Sequence, residues 1–138
     1  MNDKPLILLV EDNPNDELLA LRALKQSTVQ CSVAVAHDGI EALEFLFDVA
    51  NPIPELVLLD LKLPRMRGLE VLKRIRAEER TRRVPVVLFT SSNQPSDILN
   101  CFDSGANSFV RKPMDFNEYL ECLAKVAEYW LMIHQSSK

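Results

Sequence analysis

The chain has 138 residues, a formal net charge of −4 and a hydrophobic fraction of 47%. That length suits one domain around one core, and its acidic balance argues against wholesale binding to nucleic acid or anionic membrane. No stretch reaches the ~18 apolar residues of a membrane helix.

Lys4 and Pro5 lead into only five apolar residues, which is not a signal peptide. Cys31, Cys101 and Cys122 form no C-x-x-C pair and leave one over. They fit small buried apolar residues in a reducing cytoplasm better than a disulfide framework.

Leu6 to Val10 reads as the first strand, and it ends in Glu11 and Asp12. Asn13 is the expected N-cap of a helix with Pro14 at its first position. Leu18, Leu21 and Leu24, widened by Leu19, give that helix its apolar stripe. Val33 to Ala36 is a short second strand. Asp38 and Glu41 have the spacing of a capping box and open a second helix carrying Ile40, Leu43, Phe45, Leu46 and Phe47. Asn51-Pro52-Ile53-Pro54 then breaks the chain.

Leu56 to Leu59 is an unbroken apolar run, the signature of a strand buried on both faces. It ends in Asp60, and Pro64 argues against further strand pairing. A third helix follows Gly68, with Leu69, Val71, Leu72 and Ile75 on its apolar side. The basic run from Lys73 to Arg83 reads as a solvated helix end that complements the dipole. Val84 to Phe89 is the fourth strand, ending at Thr90-Ser91-Ser92. Pro95 to Phe102 is a fourth helix with Gly105 as its C-cap. Ser108 to Val110 is a fifth strand running into Lys112-Pro113. Asp115 and Glu118 open a last helix that runs to about Ile133, and Gln135 to Lys138 are expected to fray.

Five strands alternating with five helices predict an α/β fold: a parallel sheet covered on both faces, one domain over 1–138 with its core at about 5–133. Parallel strands bring Glu11, Asp12, Asp60, Thr90 and Lys112 to one edge, where open α/β sheets place their ligands. Three neighbouring carboxylates repel one another and call for a cation. Mg²⁺ suits such oxygen donors. With Lys112 and Thr90 they make a pocket for a phosphoryl group, and a carboxylate can itself be the nucleophile.

At these residues the chain resembles the CheY-like receiver domains of two-component response regulators. The matching motifs are Leu8-Leu9-Val10-Glu11-Asp12, Leu58-Leu59-Asp60 with Leu63-Pro64 and Gly68, Phe89-Thr90-Ser91, and Lys112-Pro113. The resemblance implies the doubly wound strand order 2-1-3-4-5. It also implies residue roles. Asp60 is the phospho-acceptor. Glu11, Asp12, Asp60 and the backbone carbonyl of Lys62 hold Mg²⁺. Lys112 pairs with Asp60 and then with the phosphoryl oxygens. Thr90 and Phe109 form the switch. Lys62 and Ser92 tune phosphoryl lifetime, and the Lys112–Pro113 bond is cis. His37 and His134 are assigned to no metal.

The expected function is a stand-alone response regulator, phosphorylated by a sensor histidine kinase and catalysing only its own phosphorylation and dephosphorylation. With five residues after Ile133, no output domain is expected. The signal would pass by protein contact to a downstream target or phosphotransfer protein. The terminal helix carries Tyr119, Val126, Tyr129, Trp130 and Ile133, more apolar surface than one face needs. With the fourth helix and fifth strand it would form a switched face and a homodimer interface. The stretches Glu11 to Asp16 and Glu128-Tyr129-Trp130 resemble the phytochrome-associated stand-alone regulators. Two alternatives carry different tests. A Mg²⁺-dependent phosphohydrolase with an Asp nucleophile usually has a second acid where Lys62 stands. A phosphorylation-independent binding module would have no need of the complete acidic site.

Overall fold

The computed structural model describes residues 4–135, so the expected fraying beyond Gln135 lies outside the described residues. Five strands, β1 (Leu6–Val10), β2 (Ser32–Ala36), β3 (Leu56–Leu59), β4 (Val86–Thr90) and β5 (Ser108–Arg111), form one sheet of order β2-β1-β3-β4-β5. All four pairings are parallel, and β3 sits at the centre with Ile7 to Val10 beside Leu56 to Leu59.

The two-residue side-chain period of a strand sorts each strand between the two faces. Leu8, Val10, Val57, Leu59, Val86 and Leu88 point to one core. That core is closed by α2 (Gly39–Phe47), α3 (Gly68–Ala77) and α4 (Pro95–Asp103). Ile7, Leu9, Leu56, Leu58, Val87 and Phe89 point to the other, closed by α1 (Pro14–Gln26) and α5 (Phe116–Glu128). A π-helical turn, Tyr129–Ile133, continues α5, and the His134 N–H closes it on the Tyr129 carbonyl at 2.8 Å.

The helix starts follow the expected chemistry. The Asn13 side chain accepts from the Asn15 and Asp16 N–H groups, Asp38 from Glu41, and Asp115 from Glu118. At the end of α4 the Gly105 and Ala106 N–H groups bond the Phe102 and Cys101 carbonyls, and Gly105 takes φ +103°, a left-handed geometry that glycine adopts freely.

Four details depart from the sequence expectation. β4 begins at Val86, because Pro85 has no N–H to give a ladder. The buried stripe of α1 is Ala20, Ala23 and Leu24, with Leu18 exposed; the alanines let α1 lie close to the sheet. Of the cysteines, all free, only Cys101 is fully buried. Its thiol is pushed up to about 11 by burial and by Asp97, so it stays protonated and inert.

The basic run is the fourth. Arg76 donates to the carbonyls of Gly105, Arg82 and Val84 and to the Asn107 side chain at 2.8–3.1 Å. Arg80 donates to the carbonyls of Leu46, Asp48 and Asn51. These two guanidiniums staple loops together, because their forked donors match carbonyls that no strand or helix satisfies; Arg82 and Arg83 are exposed.

Candidate functional site

Backbone pairing builds the site. The Glu11 N–H bonds the Ala36 carbonyl, the Asp60 N–H bonds Val10, and the Lys112 N–H bonds Thr90 at 2.7 Å. Each functional residue therefore leaves its strand one step beyond the last ladder pair, at the carboxyl edge.

There Lys112, 7% exposed, reaches three carboxylates: Glu11 Oε1 at 2.7 Å, Asp16 Oδ2 at 2.8 Å and Asp60 Oδ2 at 2.9 Å. Burial pulls its ammonium toward neutrality, but Asp60 foremost, then Asp16 and Glu11, outweigh that and hold it above the ordinary lysine value. Lys112 is a fixed cation. Burial pushes the Glu11 carboxyl up, and the bond from Lys112 opposes the shift. The second oxygen of Glu11 accepts from the Asn13 N–H, and Asp60 Oδ1 accepts from the Lys62 N–H at 3.2 Å.

Glu11, Asp12 and Asp60 bring one carboxylate oxygen each within 4.8 Å of one another. Asp12 is exposed, and its carboxylate takes no hydrogen bond among the described residues. Three carboxylates share one ammonium and a fourth, Asp12, stands beside them, so the edge carries uncompensated negative charge. This donor set, all oxygen and partly open to solvent, fits a hard divalent cation.

Thr90 is fully buried, and its hydroxyl accepts weakly from the Ser92 N–H at 3.4 Å. Ser92, also buried, donates to Asp97 in the first turn of α4 at 2.6 Å. Lys62 is exposed and, with Asp97, lines a groove of about 600 Å³ between α3 and α4. Phe109, half-buried, stands opposite Leu88 on the face that α3 and α4 cover.

Residues 7–124 match the response regulator receiver domain family. The chain belongs to that family. The receiver is 36% identical over 132 residues to the probable methanogenesis regulatory protein FilR2 of Methanothrix harundinacea, covering 94% of this chain and 85% of the relative. It is 32% identical to the response regulator Rcp1 of Synechocystis, covering 94% and 91%. The phosphorylated cyanobacterial phytochrome response regulator RcpA superposes with a TM-score of 0.92 at 34% identity, covering 99% of this chain and 100% of that one. The Mn²⁺-bound form of Rcp1 gives 0.91 at 31% identity, with the same coverage. The receiver's relatives are thus two-component regulators, phytochrome-associated ones among them, and its strand order is theirs.

The receiver's sheet brings together Glu11, Asp12, Asp60 and Lys112, with Thr90 one ladder step away. One expectation is corrected. No cis peptide bond occurs among the described residues, so Lys112–Pro113 is trans. Trans is the lower-energy form even before proline, by about 0.5–1 kcal/mol, and here the Lys112 side chain reaches all three acids from it. Two partners were not foreseen. The sequence reading gave Asp16 no role of its own; its position one turn after Asp12 was the available signal. Arg65, at φ +64°, binds Asp38 at 2.7 Å and so ties the β3–α3 loop to the start of α2.

Proposed function

We propose that this receiver takes a phosphoryl group onto Asp60 from the phosphohistidine of a sensor histidine kinase. The buried Lys112–Asp60 pair beside the acidic trio carries this reading. A bond forms between an Asp60 oxygen and phosphorus as the N–P bond of the donor breaks, and the electron pair returns to the imidazole. Glu11, Asp12 and Asp60, with the Lys62 carbonyl, would hold Mg²⁺, which when bound offsets charge on the transferring oxygens. Lys112 contributes a fixed positive charge to the same oxygens. The receiver has no turnover of an outside substrate in this reading.

The Thr90 hydroxyl, free of any strong bond, turns to the phosphoryl group, and Phe109 moves inward behind it. The exposed residues Leu99 and Phe102 on α4 and Tyr129, Met132 and Ile133 on the π-turn that continues α5 supply the responding face. That face is where a downstream target, a phosphotransfer protein or a second copy would dock. Lys62 and Ser92 set water access and hence phosphoryl lifetime. A phytochrome kinase is the proposed donor, on the strength of relatives titled as phytochrome and bacteriophytochrome response regulators, one of the latter 38% identical.

The test is intact-mass analysis with acetyl phosphate or a phosphorylated kinase and Mg²⁺. A gain of about 80 Da in wild type, absent in Asp60→Asn, supports the reading. No gain in either, with the kinase competent on another receiver, overturns it.

A further inference from the structure

An ammonium has three hydrogens, and each one on Lys112 has an acceptor: Glu11, Asp16 and Asp60. Two of these acids also belong to the trio that fits a cation; Asp16 does not. Its side chain is about one-third exposed and walls a cleft of about 310 Å³ that opens beside Lys112, with Ser91, Met114 and Tyr119 among its other walls.

The main chain of Asp16 is fixed from both sides. Its N–H donates to the Asn13 side chain, and its carbonyl accepts from the Tyr119 hydroxyl at 3.2 Å. The Tyr119 ring is itself held edge-on against Phe89, 5.2 Å between centroids. The only protein partner of the Asp16 carboxylate among the described residues is the Lys112 ammonium.

We propose that Asp16 is a positioning residue for Lys112, anchoring its ammonium while the other two acceptors change partners. The inference rests on Asp60 being the phospho-acceptor. Once Glu11 and Asp60 turn to a cation and Asp60 carries a phosphoryl group, their hold on Lys112 weakens. Asp16 has no such competing role. It keeps a flexible four-carbon side chain aimed at the phosphoryl oxygens. Its hydrogen bond, more than its charge, does this, because an amide oxygen on the same stem offers the same acceptor position.

The test compares wild type, Asp16→Ala and Asp16→Asn in the full chain, with acetyl phosphate at saturating Mg²⁺. In the reaction the Asp60 O–P bond forms, the bond from phosphorus to the acetyl oxygen breaks, and acetate leaves with the electron pair. Asp16→Ala should phosphorylate about tenfold more slowly, and Asp16→Asn should recover most of that loss. Independently of phosphorylation, the Lys112 ammonium should give a slowly exchanging ¹⁵N–H signal in wild type and Asp16→Asn and lose it in Asp16→Ala. The inference is overturned if Asp16→Ala matches wild type in both readings. It is also overturned if Asn is as damaging as Ala, which would mean that charge alone matters. Failure of wild type itself to phosphorylate would count against the reading of Asp60, and the ammonium signal would still decide the role of Asp16.

Discussion

Lys112 Nζ lies 2.9 Å from Asp60 Oδ2 across 52 residues of sequence, and both side chains are buried. Removing one partner of such a pair strands the other. Lys112→Met should cost about 3–5 kcal/mol of stability, read by urea unfolding without metal. It should also bind Mg²⁺ at least about tenfold more tightly than wild type, because a competing charge has left the carboxylates. Weaker binding by titration calorimetry would contradict the shared-ligand arrangement.

Gly68 opens α3 directly against the Asp60 backbone. A Cβ there would overlap the Asp60 carbonyl oxygen and stand 2.7 Å from Leu61 Cα, both backbone atoms. Backbone cannot swing aside as a side-chain tip can. Gly68→Ala should destabilise by about 1–3 kcal/mol and slow phosphorylation through displacement of Asp60. Thermal unfolding and the acetyl phosphate rate check the two effects.

The Arg65 guanidinium, and behind it the Glu41 N–H, hold the Asp38 carboxyl below the usual carboxylate range. A depressed folded value contributes stability that is fully present above the unfolded value, about 3.9, and is lost as pH falls through the folded one. Asp38→Asn should therefore lower the urea midpoint at pH 6, and the gap to wild type should close in strong acid. A gap that persists unchanged at acid pH would remove this pair from the account.

Arg76 donates to three backbone carbonyls that have no other partner in the ladders. Arg76→Ala should cost about 1–3 kcal/mol, since two part-buried carbonyls lose their donor. Arg76→Lys should recover little, because an ammonium cannot match the fork. Denaturant unfolding of the two variants measures this.

Lys62 is long, cationic and exposed, and its N–H bonds Asp60 Oδ1 two residues back. Lys62→Asn should speed loss of the phosphoryl group severalfold by admitting water. An unchanged decay rate, followed by intact mass after removal of the phosphodonor, would exclude the shielding role.

The sheet and the edge acids were legible in the sequence because both depend on local rules. A four-residue apolar run ending in an acid is a buried strand with its carboxylate at the rim, and Asn13, Asp38 and Asp115 announced their helices by capping chemistry. What stayed hidden depends on distant geometry. Asp16 and Arg65 acquire meaning only when α1 meets β5 and the β3–α3 loop meets α2. Arg76 and Arg80 look like solvated charges until the carbonyls they serve are brought beside them. Leu18 was read as core because leucine outweighs alanine in any hydropathy pattern, yet close helix packing selected Ala20 and Ala23. The Lys112–Pro113 bond takes the ordinary trans form, and the expectation of cis rested on the family resemblance alone.

The Arg76 staple has a mechanical side. One guanidinium clamps the tail of α3, the approach to β4 and the turn into β5 at the end of the sheet remote from Asp60. With that end pinned, the β4–β5 ribbon and α4 have a fulcrum. Under the proposed phosphorylation, a pull on Thr90 would be taken up at its own carboxyl rim, away from the clamp.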